Sequence, residues 1–476
     1  MIQKAIAYLN AEYGYRLSSK YYEHVNFWAD WWRGYHKPFH QFNDKSGGRV
    51  KTRELYTLKM AKTIAEDWAA LLLNEDFNIL CDHEGSARFI EDSMDAEGGV
   101  FGSSGFYKKA NGLIERSFAL GTGAFIQKVA NLGVASSGRI IADKEAELFV
   151  DTVDARGIIP LTVKRGKITE AAFVTEVIER GKKLIYIELH RLSAAGYEIE
   201  NIYLDAKGKR VVPPDGTLEF FCTESDIPLF AIMTPAQVNM IEGGMGMGMS
   251  VFANAIDNLK GVDLAFNNFL QDLKLGGKKV FYRGDLTKVN EHGQRVTPDD
   301  VAQQLFYEMG ESMAETAGDP LKEYNPSLRV AENREAVQAQ LDFLSFKCGL
   351  GTKRYRFDGS KIVTATEYVG DRQDLRQHIA RHNLGLSQTL KDAFRAALFA
   401  AGAYKGADVD PEAKITLNLD DSFIEDKVSM RAQDMLDVRE GIMAAWEFRV
   451  KWYGEDEETA RAKIAEIQGG IDFEEI

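Results

Sequence analysis

The possible folds of this chain are limited most by a helical pattern that runs without interruption from about Thr364 to Ala401. Thr364 and Glu367 match a capping box, in which the Thr364 hydroxyl binds the N–H of Glu367 and the Glu367 carboxylate binds the N–H of Thr364. Gly402 is the predicted C-terminal stop. A helix of up to ~38 residues would be about 57 Å long, far beyond the average. Its predicted buried stripe is Leu375, Ile379, His382, Leu386, Leu390, Phe394 and Leu398.

Two more long helices are predicted upstream, on either side of a short insert. The first runs from about Ser250 to Leu275, and the second runs from Asn333 to a C-terminal cap at Gly349. The insert, 278–331, opens with a strand at 279–282 and carries a helical piece at 299–309. Together these elements make a hairpin-like stalk. Its predicted packing residues are Phe252, Ile256, Leu259, Phe266, Phe269, Leu341 and Leu344.

The remainder reads as helices followed by strands. An aromatic-rich helical segment at 27–39 predicts either a packed core or a subunit interface. Helices are expected at 58–73 and 107–120, and antiparallel strands fill 124–225 with turns such as Arg165-Gly166 and Arg180-Gly181. This order predicts an α+β fold rather than a doubly wound one. Residues 243–249, GGMGMGM, suggest a flexible approach to the first stalk helix. A strand at 414–419 and helices at 427–453 and 456–467 complete the chain.

Composition excludes several classes of protein. The 476 residues are 45% hydrophobic, which predicts a globular chain of two to four domains. With 58 basic and 72 acidic residues the net charge is −14, unlike a protein that coats nucleic acid. No run approaches ~20 apolar residues, so we expect no membrane contact, and no secretory signal is expected at the N-terminus. Three dispersed cysteines favour a reducing compartment.

No enzyme motif is complete. The stretch 243–250 lacks the lysine of a Walker A loop, and His378 and His382 lack the glutamate of a zincin helix. The acidic pairs Asp151/Asp154 and Asp420/Asp421 are more typical of solvated turns, although a two-metal nuclease site stays open as an alternative. We therefore expect no catalytic residue, no metal and no cofactor.

The densest cationic segment of this acidic chain lies at 351–361. It holds Lys353, Arg354, Arg356 and Lys361 against one acid, Asp358. A solvated surface loop is one interpretation. The other is a loop displayed between two long helices, which suits transient contact with phosphates without base readout.

In several segments the chain resembles the portal proteins of tailed bacteriophages, especially those of long-tailed phages and prophages of Gram-positive hosts. The segments that carry the resemblance span roughly residues 25–465 and occur in the same order as in the family. The segments are WADWWRGYHKPF with KMAKTIAEDWAALLLNE, PLFAIMTPAQVN with SVFANAIDNLKGVDLAFNNFLQDLKLGGKKVF, LRVAENREAVQAQLDFLSFKCGLGTKRYRFDG with TATEY, and LNLDDSFIEDKVSMRAQDMLDVREGIMAAWEFRVKWYGEDEETA.

The resemblance implies a phage-portal fold with named regions. They are an α+β wing (1–245), stem helix 1 (246–277), a small α/β clip (278–332), stem helix 2 (333–349), a channel loop (350–363), a long wing helix with a strand (364–426) and a short helical crown (427–476).

The resemblance also implies a function. It predicts a ring of about twelve copies at one capsid vertex, through which double-stranded DNA is packaged and ejected. The implied DNA-proximal residues are Lys353, Arg354, Arg356 and Lys361. Implied partners are other copies of the chain, the terminase large subunit, the head–tail adaptor, and the major capsid and scaffold proteins. The chain would occupy the virion, and the host cytoplasm during assembly. The alternatives are a minor capsid or adaptor protein, or a DNA-processing enzyme with an unrecognised metal site.

Overall fold

The computed structural model describes residues 1–46, 49–73, 77–94, 99–134, 140–283, 288–289, 292, 295–296, 306–309, 321–356, 365–419 and 427–471. Its helices are α1 (Ile2–Tyr13), α2 (Lys20–Arg33), α3 (Lys37–His40), α4 (Met60–Leu72), α5 (Glu84–Met94), α6 (Gly99–Ser103), α7 (Phe106–Leu120), α8 (Ile256–Leu275), α9 (Val330–Lys347), α10 (Ala365–Ala400), α11 (Lys427–Arg439), α12 (Ala445–Tyr453) and α13 (Glu457–Ile471).

The strands form several separate sheets. In chain order they are β1 (Gln41–Ser46), β2 (Arg49–Glu54), β3 (Asn78–Cys81), β4 (Gly123–Ala130), β5 (Gly133–Val134), β6 (Ile140–Ile141), β7 (Glu147–Asp154), β8 (Ile158–Lys164), β9 (Lys167–Glu179), β10 (Lys182–Ser193), β11 (Gly196–Leu204), β12 (Arg210–Val211), β13 (Phe220–Cys222), β14 (Phe230–Met233), β15 (Lys279–Arg283), β16 (Lys288–Val289), β17 (Arg295–Val296), β18 (Phe306–Met309), β19 (Leu321–Tyr324) and β20 (Ile415–Asn418).

The largest sheet is antiparallel, in the order β12-β11-β10-β9-β8, with β13 also paired to β11. A second sheet has the order β14-β4-β7, and β20 returns from the far end of the chain to pair with β3. Helices and largely antiparallel strands occupy separate stretches of the chain, so the predicted α+β class is confirmed.

Two of the predicted turns have the backbone that a tight hairpin needs. Arg165 and Gly166 have φ of 52° and 79°, and Arg180 and Gly181 have φ of 48° and 78°. Two consecutive positive φ values match the twist of the flanking strands, which is the geometry of a two-residue hairpin. These turns fix the register of β8, β9 and β10.

The aromatic segment near the N-terminus is a core. Trp28 and Trp31 on α2 are buried, and the Trp31 ring lies 5.5 Å from the Phe39 ring. Trp68 on α4 is buried as well, and its ring lies 5.6 Å from the Phe118 ring of α7. This cluster is continuous with the buried stripe of α10, all seven of whose predicted members are buried.

The Gly/Met run was expected to be flexible, but its last three residues, 247–249, are packed in the core. Met247 and Met249 are buried, and the N–H of Gly248 donates to the Thr122 hydroxyl at 2.9 Å. A Cβ atom on Gly248 would lie 2.2 Å from the carbonyl oxygen of Gly121, and one on Gly121 would lie 2.8 Å from the Gly248 carbonyl. The glycines are therefore used for close backbone packing in the core, which periodicity along the sequence cannot reveal.

Stem helix 1 begins later than predicted, because residues 253–255 form a 3₁₀ turn before α8. Stem helix 2 begins earlier, at Val330, and ends as predicted. Gly349 has φ 77°, its N–H donates to Phe346, and the Leu350 N–H donates to Ser345. These bonds form a Schellman motif.

Two predicted helical stretches in the insert and the C-terminal region are wrong where the structure describes them. Phe306–Met309 is strand β18, which pairs parallel to β15 and was assigned to a helix; 299–305 lies outside the described residues. The helix expected over 427–453 is interrupted, because Gly441 has φ 76° between α11 and α12.

The predicted stop of the long helix at Gly402 is also wrong. After Ala400 the chain makes a π-helical turn, Ala401–Lys405, and Gly406 ends it with φ 67°. The Gly406 N–H donates to Gly402 at 3.2 Å, so Gly402 lies inside the helical ladder rather than at its end.

Candidate functional site at the stem and the basic segment

The two stem helices, α8 and α9, pack against each other. A Cβ atom on Gly261 would lie 2.4 Å from Oε1 of Gln340, so the glycine allows the side chain of α9 to approach α8. At the far end, Asp272 accepts bonds from Arg329 at 2.8 Å and from Asn333 at 3.0 Å. The Arg329 guanidinium holds the pKa of Asp272 below its usual value.

The predicted packing residues divide into two groups. Phe252, Leu259, Leu341 and Leu344 are buried, whereas Ile256, Phe266 and Phe269 are half-buried. The half-buried side chains belong to α8, which has solvent on part of its surface. The stem is therefore a two-helix element that the rest of the chain covers only in part.

A buried carboxylate fixes α8 to the N-terminal region. Asp263 accepts hydrogen bonds from the backbone N–H of Leu58 at 2.8 Å, from the Thr57 hydroxyl at 3.0 Å and from Nε2 of His40 at 3.0 Å. One turn further on, Asn267 accepts from the N–H of Tyr56 at 3.4 Å. Sequence reasoning missed this anchor, although an acid at an apolar-stripe position, four residues after Leu259, was its signal.

Residues 354–356 of the basic segment fold back onto acids of their own chain. Arg354 lies 3.0 Å from the Asp67 carboxylate of α4, and the Tyr355 hydroxyl donates to the same carboxylate at 2.7 Å. Arg356 lies 3.8 Å from Asp342. Burial, together with Asp67, raises the pKa of Tyr355. The cations predicted to be near DNA are therefore partly committed to internal pairs.

Two further cations and the predicted capping box remain to be placed. Lys353 is exposed, next to the ion-paired arginine. Lys361 and Thr364 lie outside the described residues, and Glu367 lies in the first turn of α10. The capping box therefore stays a prediction.

His382, one of the two histidines of α10, is packed among aromatic side chains in the core. The N–H of Ala236 donates to Nδ1 of His382 at 3.0 Å, and the His382 ring lies 4.7 Å from Trp68 and 4.8 Å from Phe118. Burial lowers the pKa of His382 to about 3. Across the described ranges, no three His, Cys, Asp or Glu side chains converge as they would around a metal ion. Asp154 caps a turn through Arg156, and Asp420 and Asp421 lie outside those ranges.

Another charged cluster lies between the sheet of β4 and the sheet of β10 and was not predicted. Lys128 of β4 pairs with Glu188 of β10, and Glu188 also lies 2.9 Å from Nε2 of His190 and accepts from Tyr186 at 2.9 Å. Burial lowers the pKa of Lys128 to about 8, and the Asp151 carboxylate opposes that shift. This network joins the sheet of β4 to the sheet of β10.

Among the helices described, none is both long and apolar enough to cross a membrane.

No protein-family model matches the sequence, and no curated protein does. Among solved structures, the chain is similar to a chain of the neck of a native GTA particle computed with C12 symmetry, at 13% identity and a TM-score of 0.31. It is also similar to a chain of the neck of an empty GTA particle computed with C6 symmetry, at 13% identity and a TM-score of 0.38. Each match covers 82% of this chain and 87% of the other.

Proposed function

We propose that this protein is a portal: a ring of copies, about twelve in number, at one capsid vertex, with double-stranded DNA passing through its centre. Its role in this proposal is structural, without catalysis or a cofactor. The terminase large subunit and the head–tail adaptor would dock on the clip, and capsid and scaffold proteins would contact the wing.

The stem carries the proposal. Within one copy, α8 and α9 are held to the rest of the protein by Asp263 and the Gly349 turn, yet they expose large apolar side chains. Leu264 and Leu275 on α8 are exposed, as are Phe343 and Phe346 on α9. A rigid element with apolar residues on its outer surface is typical of a protein that is completed by neighbours.

The basic segment supports a channel that contacts DNA weakly. Arg354 and Arg356 have carboxylate partners 3.0 and 3.8 Å away, so their charges are partly compensated. Binding to DNA strengthens with every phosphate that a free cation neutralises. A segment with compensated charge in an acidic chain therefore suits a conduit along which DNA must slide.

The test is the native mass of the purified protein together with negative-stain images. We expect a closed ring of about a dozen copies with a central hole. A chain that stays monomeric at every concentration, alone and with scaffold protein, would contradict the portal proposal. Nuclease activity abolished by a single substitution would favour the enzyme alternative instead.

A further inference from the structure

Strands β1 and β2 form a hairpin, called the arm here, that pairs with no third strand in the described part of the chain. On the arm, the side chains of Phe42 and Val50 are 40% and 62% exposed, and Lys51 and Arg53 are exposed too. A single two-stranded hairpin is marginally stable in water. The arm therefore lacks a packing partner within its own chain.

The arm is also basic. Residues 41–54 contain four cations, Lys45, Arg49, Lys51 and Arg53, and two acids, Asp44 and Glu54, so their net charge is 4 − 2 = +2 in a chain of −14. Arg53 pairs with Asp44 at 2.7 Å. The surface that covers the arm should therefore be apolar with acidic residues beside it.

Helix α9 has such a surface. Ala336, Ala339, Phe343 and Phe346 are all exposed, and their spacing of three and four residues places them on one side of the helix. We call these four residues the stripe; Phe343 is 59% exposed and Phe346 is 61% exposed. Two exposed acids, Glu332 and Glu335, continue the same side toward the N-terminus of α9.

The arm and the stripe lie on different sides of the stem. On α8, Asp263 faces the base of the arm through His40, whereas Asp272 faces α9, and at about 100° per residue these two positions are about 180° apart. On α9, Phe343 and Phe346 lie about 80° and about 140° around the helix from Asn333, which bonds to Asp272. One copy therefore does not cover its own stripe with its own arm.

The arm and the stripe also lie at the same height. Gly261 contacts Gln340, and Asp272 contacts Asn333, so the antiparallel helices place Asn267 level with Ala336. Asn267 binds the backbone of Tyr56, just beyond the arm. Copies that are related by rotation about an axis along the stem keep that height, so an arm from one copy meets the stripe of the next.

We infer that the arm of each copy packs on the α9 stripe of its neighbour in the ring. Phe42 supplies apolar contact to Phe343 and Phe346, and Lys51 and Arg53, which project from the same face of the hairpin as Phe42, face Glu332 and Glu335. The contact joins two different surfaces, so it is a head-to-tail interface that can propagate around a ring. This inference depends on the proposed ring and specifies one of its contacts.

The test uses two variants of the full-length chain, Phe42→Asp and Phe343→Asp. Each one disables one side of the contact, and both positions are exposed, so we expect both variants to keep the unfolding midpoint of the unmodified chain. Ile178→Asp is the matched control, because Ile178 is a 77% exposed apolar residue on another hairpin. Native mass is measured for each variant and for an equal mixture of the first two.

We expect the unmodified chain and Ile178→Asp to form rings and each arm or stripe variant to remain a single chain. In the mixture, the intact arm of Phe343→Asp can bind only the intact stripe of Phe42→Asp. The mass should therefore double and grow no further. If Phe42→Asp forms rings as the unmodified chain does, or if the mixture forms no dimer, the arm–stripe contact is wrong while the portal proposal stands. If the unmodified chain is always monomeric, the arm–stripe contact and the portal proposal are both wrong.

Discussion

At position 263, a carboxylate occupies a place where the periodicity of α8 favours an apolar side chain. Asp263 is buried and accepts from a backbone N–H, a hydroxyl and an imidazole, all of them between the end of α3 and the start of α4. Buried charge is tolerated only when it is hydrogen-bonded in this way. This one side chain therefore joins α8 to three groups of the N-terminal region.

Replacing Asp263 by alanine should lower the free energy of unfolding by about 3 kcal/mol, because one buried and two partly buried donors lose their acceptor together. Urea unfolding followed by circular dichroism measures the change. Asp257→Ala is the control on the same helix: its side chain is 94% exposed, and its pair with Lys260 and the helix dipole are worth at most about 1 kcal/mol. Equal losses in the two variants would contradict the anchor.

His382 gives the fold a dependence on pH. Burial lowers its pKa from 6.5 to about 3, so between these values the unfolded chain binds a proton that the folded chain does not. Stability contributed by neutral His382 is present above pH 6.5 and is lost as the pH falls toward 3. At pH 5 the loss is about 2 kcal/mol relative to pH 7.

His382→Gln should therefore reduce the loss of unfolding free energy between pH 7 and pH 5 by about 2 kcal/mol, even if it destabilises the protein at pH 7. Urea unfolding at the two pH values gives the difference. His24→Gln, at an exposed position on α2, is the control and should leave the difference as it is. An unchanged difference in His382→Gln would show that this imidazole does not resist protonation in the fold.

At the scale of elements, the periodicity of the sequence predicted the buried face and the cap of individual helices. Helix ends and strand pairings that depend on long-range contacts were not predicted. The stripe of α10 and the Gly349 cap follow from three- and four-residue spacing and from the preference of glycine for positive φ. The end of α10 does not, because two glycines compete and tertiary context selects the second. Strand β18 was likewise missed because its pairing with β15 is non-local.

Alanine substitutions at the two glycines near the end of α10 should have opposite effects on stability. Gly406→Ala should cost about 1 kcal/mol, because the left-handed φ of 67° strains an L-residue although its nearest neighbour, Cβ of Ala142, is 3.6 Å away. Gly402→Ala should be neutral or stabilising by up to about 1 kcal/mol, because it lies inside the helical turn with no contact below 3.5 Å. Thermal unfolding of both variants tests this order, and the reverse order would restore Gly402 as the stop.

At the scale of the whole molecule, the order of segments predicted the α+β class and the stalk, but it could not show how charges pair. The candidate DNA-contacting cations illustrate the limit. Arg354 and its partner Asp67 are far apart in sequence, so no local pattern joins them. The site as predicted was a set of four equivalent cations, whereas the structure assigns Arg354 to an internal ion pair.

Neutralising the basic segment should therefore have two separable effects. Lys353→Gln with Lys361→Gln should leave the ring intact while impairing DNA packaging or retention, measured as packaged DNA per particle. Arg354→Gln should instead lower the unfolding midpoint, because the half-buried Asp67 loses its cation. Unchanged packaging in the double-lysine variant would mean that the segment does not contact DNA.

The close crossing of Gly121 and Gly248 has a consequence for how this chain can vary. Each glycine excludes a side chain at the other's position, because a Cβ atom on either would overlap the other's carbonyl oxygen. A mutation at one site cannot be compensated by a smaller residue at the other, since none exists. Among descendants of this chain that keep the crossing, the two positions should therefore be invariant together, although more than a hundred residues separate them.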